Sequence, residues 1–210
     1  MNSKKFWESQ HHKYAERDWI NRPTIFSEIA IKYFPSAGKI LELGCGQGQD
    51  ARFFADRNYN VLATDFSNTG LNYAKTKTDN QLIKFQVLDM SKGALPFEDS
   101  EFDVVYSHLA LHYFPDDITK KLFSEIKRVL KPNGIFAALF NTVEDPEIPE
   151  LKEIDKNYYL ETKTGIKKRY FDLEYLKKLT RDKFKTIIVD DKGETYKDEI
   201  KTLIRFIGKK

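Results

Sequence analysis

The feature that most constrains this chain is a short apolar segment that runs into three glycines at alternate positions. Residues 39–44 read Lys-Ile-Leu-Glu-Leu-Gly, and Gly46 and Gly48 follow Gly44 with one residue between each pair. Glycine lets a turning backbone come into direct contact with a ligand at several successive points. The pattern predicts a strand, a tight ligand-binding turn and then a helix over residues 49–57.

Strand and helix patterns continue to alternate beyond this turn. Further strands are predicted over residues 60–65, 83–89, 102–107 and 135–140. Helices are predicted over residues 68–77 and from Asp116 to a Lys-Pro-Asn-Gly stop at residues 131–134. Alternation of this kind is typical of an α/β fold built on a parallel sheet.

The N-terminal part and one internal segment depart from the alternation. Residues 1–37 predict a helical arm, with Trp7, Tyr14 and Trp19 ahead of a second helix over residues 24–33. Residues 142–171 begin with an acidic stretch that contains two prolines, and we interpret them as an insertion on the substrate side. The core between them would comprise residues 38–141.

The C-terminal part, residues 172–210, predicts a helix and a strand pair. The helix covers residues 172–181, and the strands cover residues 184–190 and 199–207 with a turn around residues 191–193. Because few residues separate the strands, they should pair antiparallel. We expect one domain over residues 1–210, since a chain of 210 residues can form a single core.

Composition and charge exclude several classes of protein. The chain has 35 Lys plus Arg against 32 Asp plus Glu, a mixture without the single-sign field of a nucleic-acid coat protein. Its longest apolar run, near residues 135–140, is far shorter than the roughly 20 residues of a membrane helix. No secretion signal is visible, so we expect a cytoplasmic location. The single cysteine, Cys45, excludes an internal disulfide, and we expect no metal site.

Acidic residues occur at the ends of the first three predicted strands. Glu42 precedes the glycine turn, Asp65 ends the second strand, and Asp89 ends the third. Carboxylates at this edge of a parallel sheet can accept hydrogen bonds from ribose hydroxyls or from an exocyclic amine such as that of adenine. A dinucleotide fingerprint would need glycine at position 49, which holds Gln49. The residues therefore favour a nucleoside ligand over a nicotinamide dinucleotide.

These motifs together resemble the class I S-adenosylmethionine-dependent methyltransferases, particularly the enzymes that act on small molecules. The resemblance extends over residues 38–141 and includes the stretches at residues 95–105 and 130–134. It implies a Rossmann-like three-layer αβα sandwich with a seven-stranded, mostly parallel sheet and an antiparallel last strand. It also implies S-adenosyl-L-methionine as cofactor and S-adenosyl-L-homocysteine as product.

The resemblance further implies where the cofactor binds. Glu42 and the glycine loop would face the methionine part, and Asp65 would hold the ribose. Phe66 would pack on the adenine, whose amine Asp89 and the Met90 backbone would recognise, and Ser107 and His108 would border the reaction centre. The complete expected set is Tyr14, Glu42, Gly44, Cys45, Gly46, Gly48, Asp65, Phe66, Ser67, Asp89, Met90, Ser107 and His108.

Catalytic residues are less clearly indicated. His108 and His112 are candidates and would share one face if their segment were helical, but methyl transfer does not require a base and both could simply line a pocket. Cys45 lies between loop glycines, where we expect its backbone to matter and not its thiol. His11 and His12 are expected to be solvated.

Several other residues have two possible roles. Asp65 and Asp89 could be turn formers or helix caps, and Tyr14 and Trp19 could be core anchors or part of a lid. Basic residues of the insertion could attract an anionic acceptor or form a solvated cluster: Lys163, Lys167, Lys168 and Arg169.

The sequence thus predicts an enzyme that transfers a methyl group to a small-molecule acceptor. We expect a monomer or homodimer with no membrane partner and no nucleic-acid partner. One alternative is an RNA or protein methyltransferase, although residues 107–110 lack the Asn/Asp-Pro-Pro-Tyr/Phe signature of exocyclic-amine methylation. Another is a non-catalytic protein that binds S-adenosylmethionine.

Overall fold

The computed structural model describes residues 3–196 and 203–210. The helices in this part of the chain are α1 (Ser3–Tyr14), α2 (Ile25–Ala30), α3 (Gln49–Ala55), α4 (Asn68–Thr76), α5 (Asp116–Val129) and α6 (Leu173–Thr180). The strands are β1 (Lys39–Leu43), β2 (Asn60–Asp65), β3 (Ile83–Val87), β4 (Phe102–His108), β5 (Leu130–Asn141), β6 (Lys152–Asp155), β7 (Tyr158–Glu161), β8 (Ile166–Arg169), β9 (Lys185–Gly193) and β10 (Leu203–Lys209). Short 3₁₀ turns cover Asp18–Asn21, Ile31–Tyr33 and Ile148–Glu150.

Seven strands form the main sheet in the order β3-β2-β1-β4-β5-β10-β9. Strands β1 to β5 are parallel to their neighbours, and β10 runs antiparallel to both β5 and β9. The predicted mostly parallel sheet with an antiparallel last strand is confirmed. Because β2 and β4 lie on opposite sides of β1, the strand order reverses there, and the carboxyl ends of β1 and β4 form the edge at which open α/β sheets generally bind ligands.

Helices cover both faces of this sheet, which gives three layers. Helices α2, α3 and α4 pack on one face through a core that includes Phe26, Phe54 and Leu71. Helices α5 and α6 pack on the other face through a core that includes Phe123 and Leu176. Burial on both faces explains why the central strands are almost continuously apolar.

The structure corrects three predicted boundaries. Strand β3 ends at Val87, two residues before Asp89. Strand β5 begins at Leu130 and includes the stop sequence, in which Asn133 has a φ of 66°. The predicted turn at residues 191–193 is wrong: β9 continues to Gly193, because Asp190 pairs with Arg205 of β10 at 2.6 Å and Gly193 still pairs with Leu203. Residues 199–202 of the last predicted strand lie outside the described residues.

The insertion forms a second, three-stranded antiparallel sheet in the order β6-β7-β8. Its two ends meet, since Phe171 N donates to Asn141 O at 2.9 Å and Val143 N donates to Phe171 O at 3.1 Å. The small sheet is therefore tied to the carboxyl end of β5, at the same edge of the main sheet as the carboxyl ends of β1 and β4. Among the described residues, no helix has the length and apolar character needed to span a bilayer.

Candidate functional site

The glycine loop begins where β1 ends and has a left-handed backbone at each glycine. The φ angles are 77° at Gly44, 54° at Gly46 and 72° at Gly48, a region that disfavours other residues. A Cβ at Gly44 would lie 2.2 Å from Cβ of Ala110, so this glycine permits close packing of the loop. A Cβ at Gly46 would meet only His11 Cε1, at 3.4 Å. The ring of His11 therefore covers the backbone at Gly46.

Glu42 lies beneath this loop as a buried carboxylate. Its Oε2 atom has no hydrogen-bond partner. Burial raises the pKa of Glu42 well above its usual range, and the nearby charges of Asp50 and Asp65 add to this effect. Since buried polar atoms are normally paired, the free oxygen fits a ligand that carries a donor or a positive charge.

Asp65 connects the end of β2 to the glycine loop. Its Oδ2 accepts a hydrogen bond from Gly46 N, and its Oδ1 accepts one from Ser67 N, both at 2.9 Å. Ser67 in turn caps α4, since its Oγ accepts from Gly70 N at 3.1 Å. Phe66 is half-buried between them. The predicted ribose-binding carboxylate is therefore next to the loop and also forms a turn.

Asp89 and Met90 lie beyond β3 and differ in exposure. Asp89 is exposed, and its Oδ1 accepts from Ser91 N at 2.8 Å, a turn of the kind expected from its alternative role. The Met90 side chain is buried in the core, and its carbonyl accepts from Gly93 N at 2.9 Å. Neither side chain contributes to the network around Asp65.

Two further predicted residues are occupied by structural contacts. Ser107 is fully buried, and its hydroxyl donates to Leu43 O at 3.0 Å. Cys45 is buried in the core on the α2–α4 side, and burial raises the pKa of its thiol well above its usual range. The thiol form therefore dominates at neutral pH.

His108 and His112 lie close together, although their segment is not helical. Leu109 has a φ of 53° immediately after β4, which interrupts any regular helix. His108 Nε2 and His112 Nδ1 are both buried without a partner. Burial lowers the pKa of His108, and burial together with Lys168 and His108 lowers the pKa of His112 from 6.5 to about 3. Both imidazoles are therefore uncharged at neutral pH.

The N-terminal arm covers the glycine loop through α1. The expectation that His11 is solvated is wrong: it is 6% exposed, because Gly46 and Gly70 leave room for its ring. Gln47 Nε2 donates to His11 O at 2.7 Å, and His12 Nδ1 shares a hydrogen bond of 2.9 Å with Tyr73 Oη.

Tyr14 and Trp7 place aromatic rings in the same arm. Tyr14 is half-buried and contacts the rings of His11 and Trp19 at centroid distances of 6.3 and 5.4 Å. Trp7 contacts the ring of Tyr113 at 5.4 Å. The arm therefore reaches from the glycine loop to the segment that follows β4.

A buried network at the base of the arm was missed by sequence reasoning. Asp50 accepts from Thr24 N at 2.7 Å and from the hydroxyls of Thr24 and Tyr106, each at 2.8 Å. Arg52 Nη2 donates to Ile20 O at 2.9 Å. Because an acidic residue in the first turn of a helix is common, the sequence did not indicate that Asp50 belongs to a buried hydrogen-bond network.

A second network missed by sequence reasoning lies within the insertion. Glu147 Oε1 accepts from Tyr170 Oη and from Lys168 Nζ, the latter at 2.6 Å. Burial and the charges of Glu147 and Asp65, with Tyr14 nearby, raise the pKa of Tyr113 well above its usual range. Lys168 and Arg169 are consequently not part of a solvated cluster, whereas Lys163 and Lys167 are exposed. In the described part of the chain, no group of three or more His, Cys, Asp or Glu side chains could hold a metal ion.

Comparisons with known proteins agree with this geometry. Residues 41–138 match the family described as "Methyltransferase domain". A malonyl-[acyl-carrier protein] O-methyltransferase of Salmonella typhimurium is 28% identical over 145 residues, which are 69% of this chain and 53% of that protein. A demethylmenaquinone methyltransferase of Staphylococcus saprophyticus is 30% identical over 141 residues, 66% of this chain and 57% of that protein. The chain spans about half the length of these curated relatives.

Solved structures show the same fold. The 1,6-didemethyltoxoflavin-N1-methyltransferase of Burkholderia thailandensis, solved with 1,6-didemethyltoxoflavin and S-adenosylhomocysteine, superposes with a TM-score of 0.75. The match covers 99% of this chain and 87% of that one at 16% identity. A methyltransferase from Methanosarcina mazei superposes with a TM-score of 0.70 over 87% of this chain and 96% of that one, at 22% identity.

Proposed function

Because residues 41–138 make this chain a member of the class I S-adenosylmethionine-dependent methyltransferases, we propose that it transfers a methyl group to a small-molecule acceptor. The observation that carries the proposal is the glycine loop, which has a left-handed backbone at all three glycines and is joined to Asp65 through the Gly46 amide. A loop of this shape presents main-chain groups to a ligand without interference from side chains.

The residues around the loop fit the parts of the cofactor. S-adenosylmethionine supplies a methyl group activated by a sulfonium. Glu42 would face its methionine part, where an ammonium group would satisfy the free Oε2 and lower the raised pKa of this carboxyl. Asp65 would accept from the ribose hydroxyls, with Phe66 on the adenine. Asp89 and the Met90 backbone would recognise the exocyclic amine of the adenine. The remaining residues of the site would be Tyr14, Ser67, Ser107 and His108.

The protein's main task in methyl transfer is alignment. Displacement at a methyl carbon requires the attacking atom, the methyl and the sulfur to lie in line, and it requires water to be kept out. His108 and His112 each offer a neutral imidazole with an unpartnered nitrogen. A base works best with a pKa near the ambient pH, so the pKa of about 3 at His112 favours orientation of the acceptor by hydrogen bonding over removal of its proton.

A small acceptor is supported by the cover over the strand ends. The arm contacts Tyr113 through Trp7, and Tyr14 and Glu147 both lie close enough to affect the pKa of Tyr113. The arm and the insertion thus approach each other at this tyrosine. A pocket closed from two sides suits a compact acceptor better than a polymer.

Calorimetry tests the cofactor assignment. We expect S-adenosylhomocysteine to bind with a stoichiometry of one per chain and NAD not to bind. Binding of NAD without any response to S-adenosylhomocysteine would overturn the proposal.

Hydrogen exchange tests the cover. We expect S-adenosylhomocysteine to slow exchange in α1 and in residues 142–171, with α6 as an internal control that does not change. A truncation that removes residues 1–22 but keeps Thr24 should lose turnover far more than stability. If neither segment gains protection and the truncated enzyme keeps its activity, the site is open and RNA or protein acceptors become the better proposal.

A further inference from the structure

A second cleft lies between the insertion sheet and helices α5 and α6. It has a volume of about 880 Å³ and is lined by the turn between β6 and β7, the start of α5 and much of α6. This volume is within the range of about 300 to 1,000 Å³ that small-molecule sites occupy. None of the residues assigned to the cofactor lines this cleft.

Arg169 lies in the wall of the cleft as a buried cation. It is 3% exposed, and its Nε and Nη1 donate to the carbonyls of Phe114 and Lys156 at 3.3 and 3.1 Å. The rings of Tyr158 and Tyr175 lie 5.2 and 5.6 Å from the guanidinium carbon. These contacts fix the guanidinium in place, but Nη2 has no hydrogen-bond partner. A buried cationic donor without a partner is costly, so this atom is a candidate contact for a ligand.

The nearest carboxylates of the cleft are already engaged by other donors. Asp116 binds Lys120 and the Tyr175 hydroxyl, each at 2.5 Å. Asp172 accepts from Tyr175 N at 2.6 Å and from Asn157 Nδ2 at 3.2 Å. Neither acid forms an ion pair with Arg169, although the Arg169 charge helps to lower the pKa of Asp116, and Nη2 remains without a partner.

The rim of the cleft adds further positive charge. Six cationic side chains and four acidic ones line it. Lys120 and Lys177 are paired with Asp116 and Glu174. Within the described ranges, Lys156 and Lys178 have no ion-pair partner and are exposed. The lining therefore has a formal excess of two positive charges, which favours an anionic ligand.

We propose that this cleft binds a small molecule carrying phosphate or carboxylate oxyanions, with Arg169 at the wall and Lys178 at the rim as the groups that recognise it. The arginine would donate through Nη2, since a guanidinium binds such oxygens with directed hydrogen bonds. The site is separate from methyl transfer, but the two are connected: Arg169 N donates to His112 O at 2.6 Å. A ligand held by Arg169 would therefore stabilise the segment that carries His112.

The proposal is tested by titrating the full chain with inorganic pyrophosphate and, separately, with citrate, which distinguishes phosphate from carboxylate recognition. Binding is measured by calorimetry at low ionic strength, because salt screens such contacts. We expect at least one probe to bind, and Lys178→Glu to weaken its binding about tenfold. Lys32→Glu is the matched control, because it makes the same charge change at an exposed residue outside the cleft.

Arg169→Gln should abolish binding of the probe, provided that circular dichroism shows the variant to be folded. If this variant does not fold, Lys178→Glu against Lys32→Glu decides the question alone. The proposal is overturned if neither probe binds at millimolar concentration. It is also overturned if Lys178→Glu and Lys32→Glu reduce binding equally, because attraction would then reflect net charge and not this cleft.

Discussion

The two halves of the strand-end edge are built in different ways. On the side of β1 to β3, the contacts are made largely by the main chain, as where Gly46 N and Ser67 N both donate to Asp65. On the side of β4, β5 and the insertion, long side chains contact one another, as where Tyr170 and Lys168 both bind Glu147. The first half therefore depends on a local pattern of glycines, whereas the second half depends on side-chain contacts.

The largest effect that can test this difference is expected from Gly46→Val. A branched side chain at this left-handed position would strain the loop and press against the ring of His11, so binding of S-adenosylhomocysteine should be lost in calorimetry. Gly165→Val is the matched control, because Gly165 also has a positive φ, of 77°, but lies in the turn between β7 and β8. Both variants bear backbone strain, and only the first should lose the ligand. Equal binding by both would remove the loop from the site.

Asp65→Asn should have the next largest effect. Loss of the charged acceptor should weaken the binding of S-adenosylhomocysteine by about 1 to 3 kcal/mol, because hydrogen bonds to a charged group are strong. Asp89→Asn makes the same chemical change at an exposed carboxylate and should cost less. If calorimetry gives the reverse order, recognition is centred on the adenine end and not on the loop.

The two halves should also respond to pH in opposite directions. Above pH 6.5, His112 is neutral in the folded and in the unfolded chain. Between about pH 6.5 and pH 3 it is protonated in the unfolded chain but stays neutral in the folded protein. His112 therefore removes stability as the pH falls, by up to about 1.4 kcal/mol per pH unit. Glu42 has a raised pKa, so its contribution is present at low pH and is lost as the pH rises towards neutral.

Urea unfolding at about pH 7 and about pH 5 measures these contributions. The His112→Gln variant should lose less stability than the parent chain as the pH falls. The Glu42→Gln variant should be more stable relative to the parent chain near pH 7 than near pH 5. Identical pH dependence of stability in all three proteins would contradict the burial of His112 and Glu42 in their neutral forms.

The sheet could be predicted from sequence because its strands are apolar, short and separated by helical patterns. The end of β3 could not be predicted from residue type, because Leu88 continues the apolar pattern of the strand. In the structure β3 ends at Val87, and the Leu88 amide donates to Asp65 O beyond the end of the strand. The three strands of the insertion gave no alternating pattern, because β6 is exposed along its whole length. Strands that bury little surface do not need alternating apolar residues, so hydrophobic periodicity does not predict them.

The same reasoning explains which site residues were predictable. Gly44, Gly46 and Asp65 occur at spacings that have one strong physical interpretation, and the structure brings them together. Their roles towards the cofactor remain predictions. His11 and Glu147 reach the site through packing of the arm and the insertion, and neither has a local sequence pattern that indicates burial. Only the small residues at Gly46 and Gly70, which accommodate the imidazole, could have suggested where an aromatic ring would lie.

Strand β1 is held from both sides where it becomes the loop. Thr64 Oγ1 donates to Glu42 O at 2.7 Å, and Ser107 Oγ donates to Leu43 O at 3.0 Å. The amides of Gly44 and Cys45 both donate to Thr64 O at 2.8 Å. The loop is thus ordered before any ligand arrives, so little conformational entropy is lost on binding. Affinity at this edge is then governed by the contacts themselves, and slow release of product would have to originate in the arm and not in the loop.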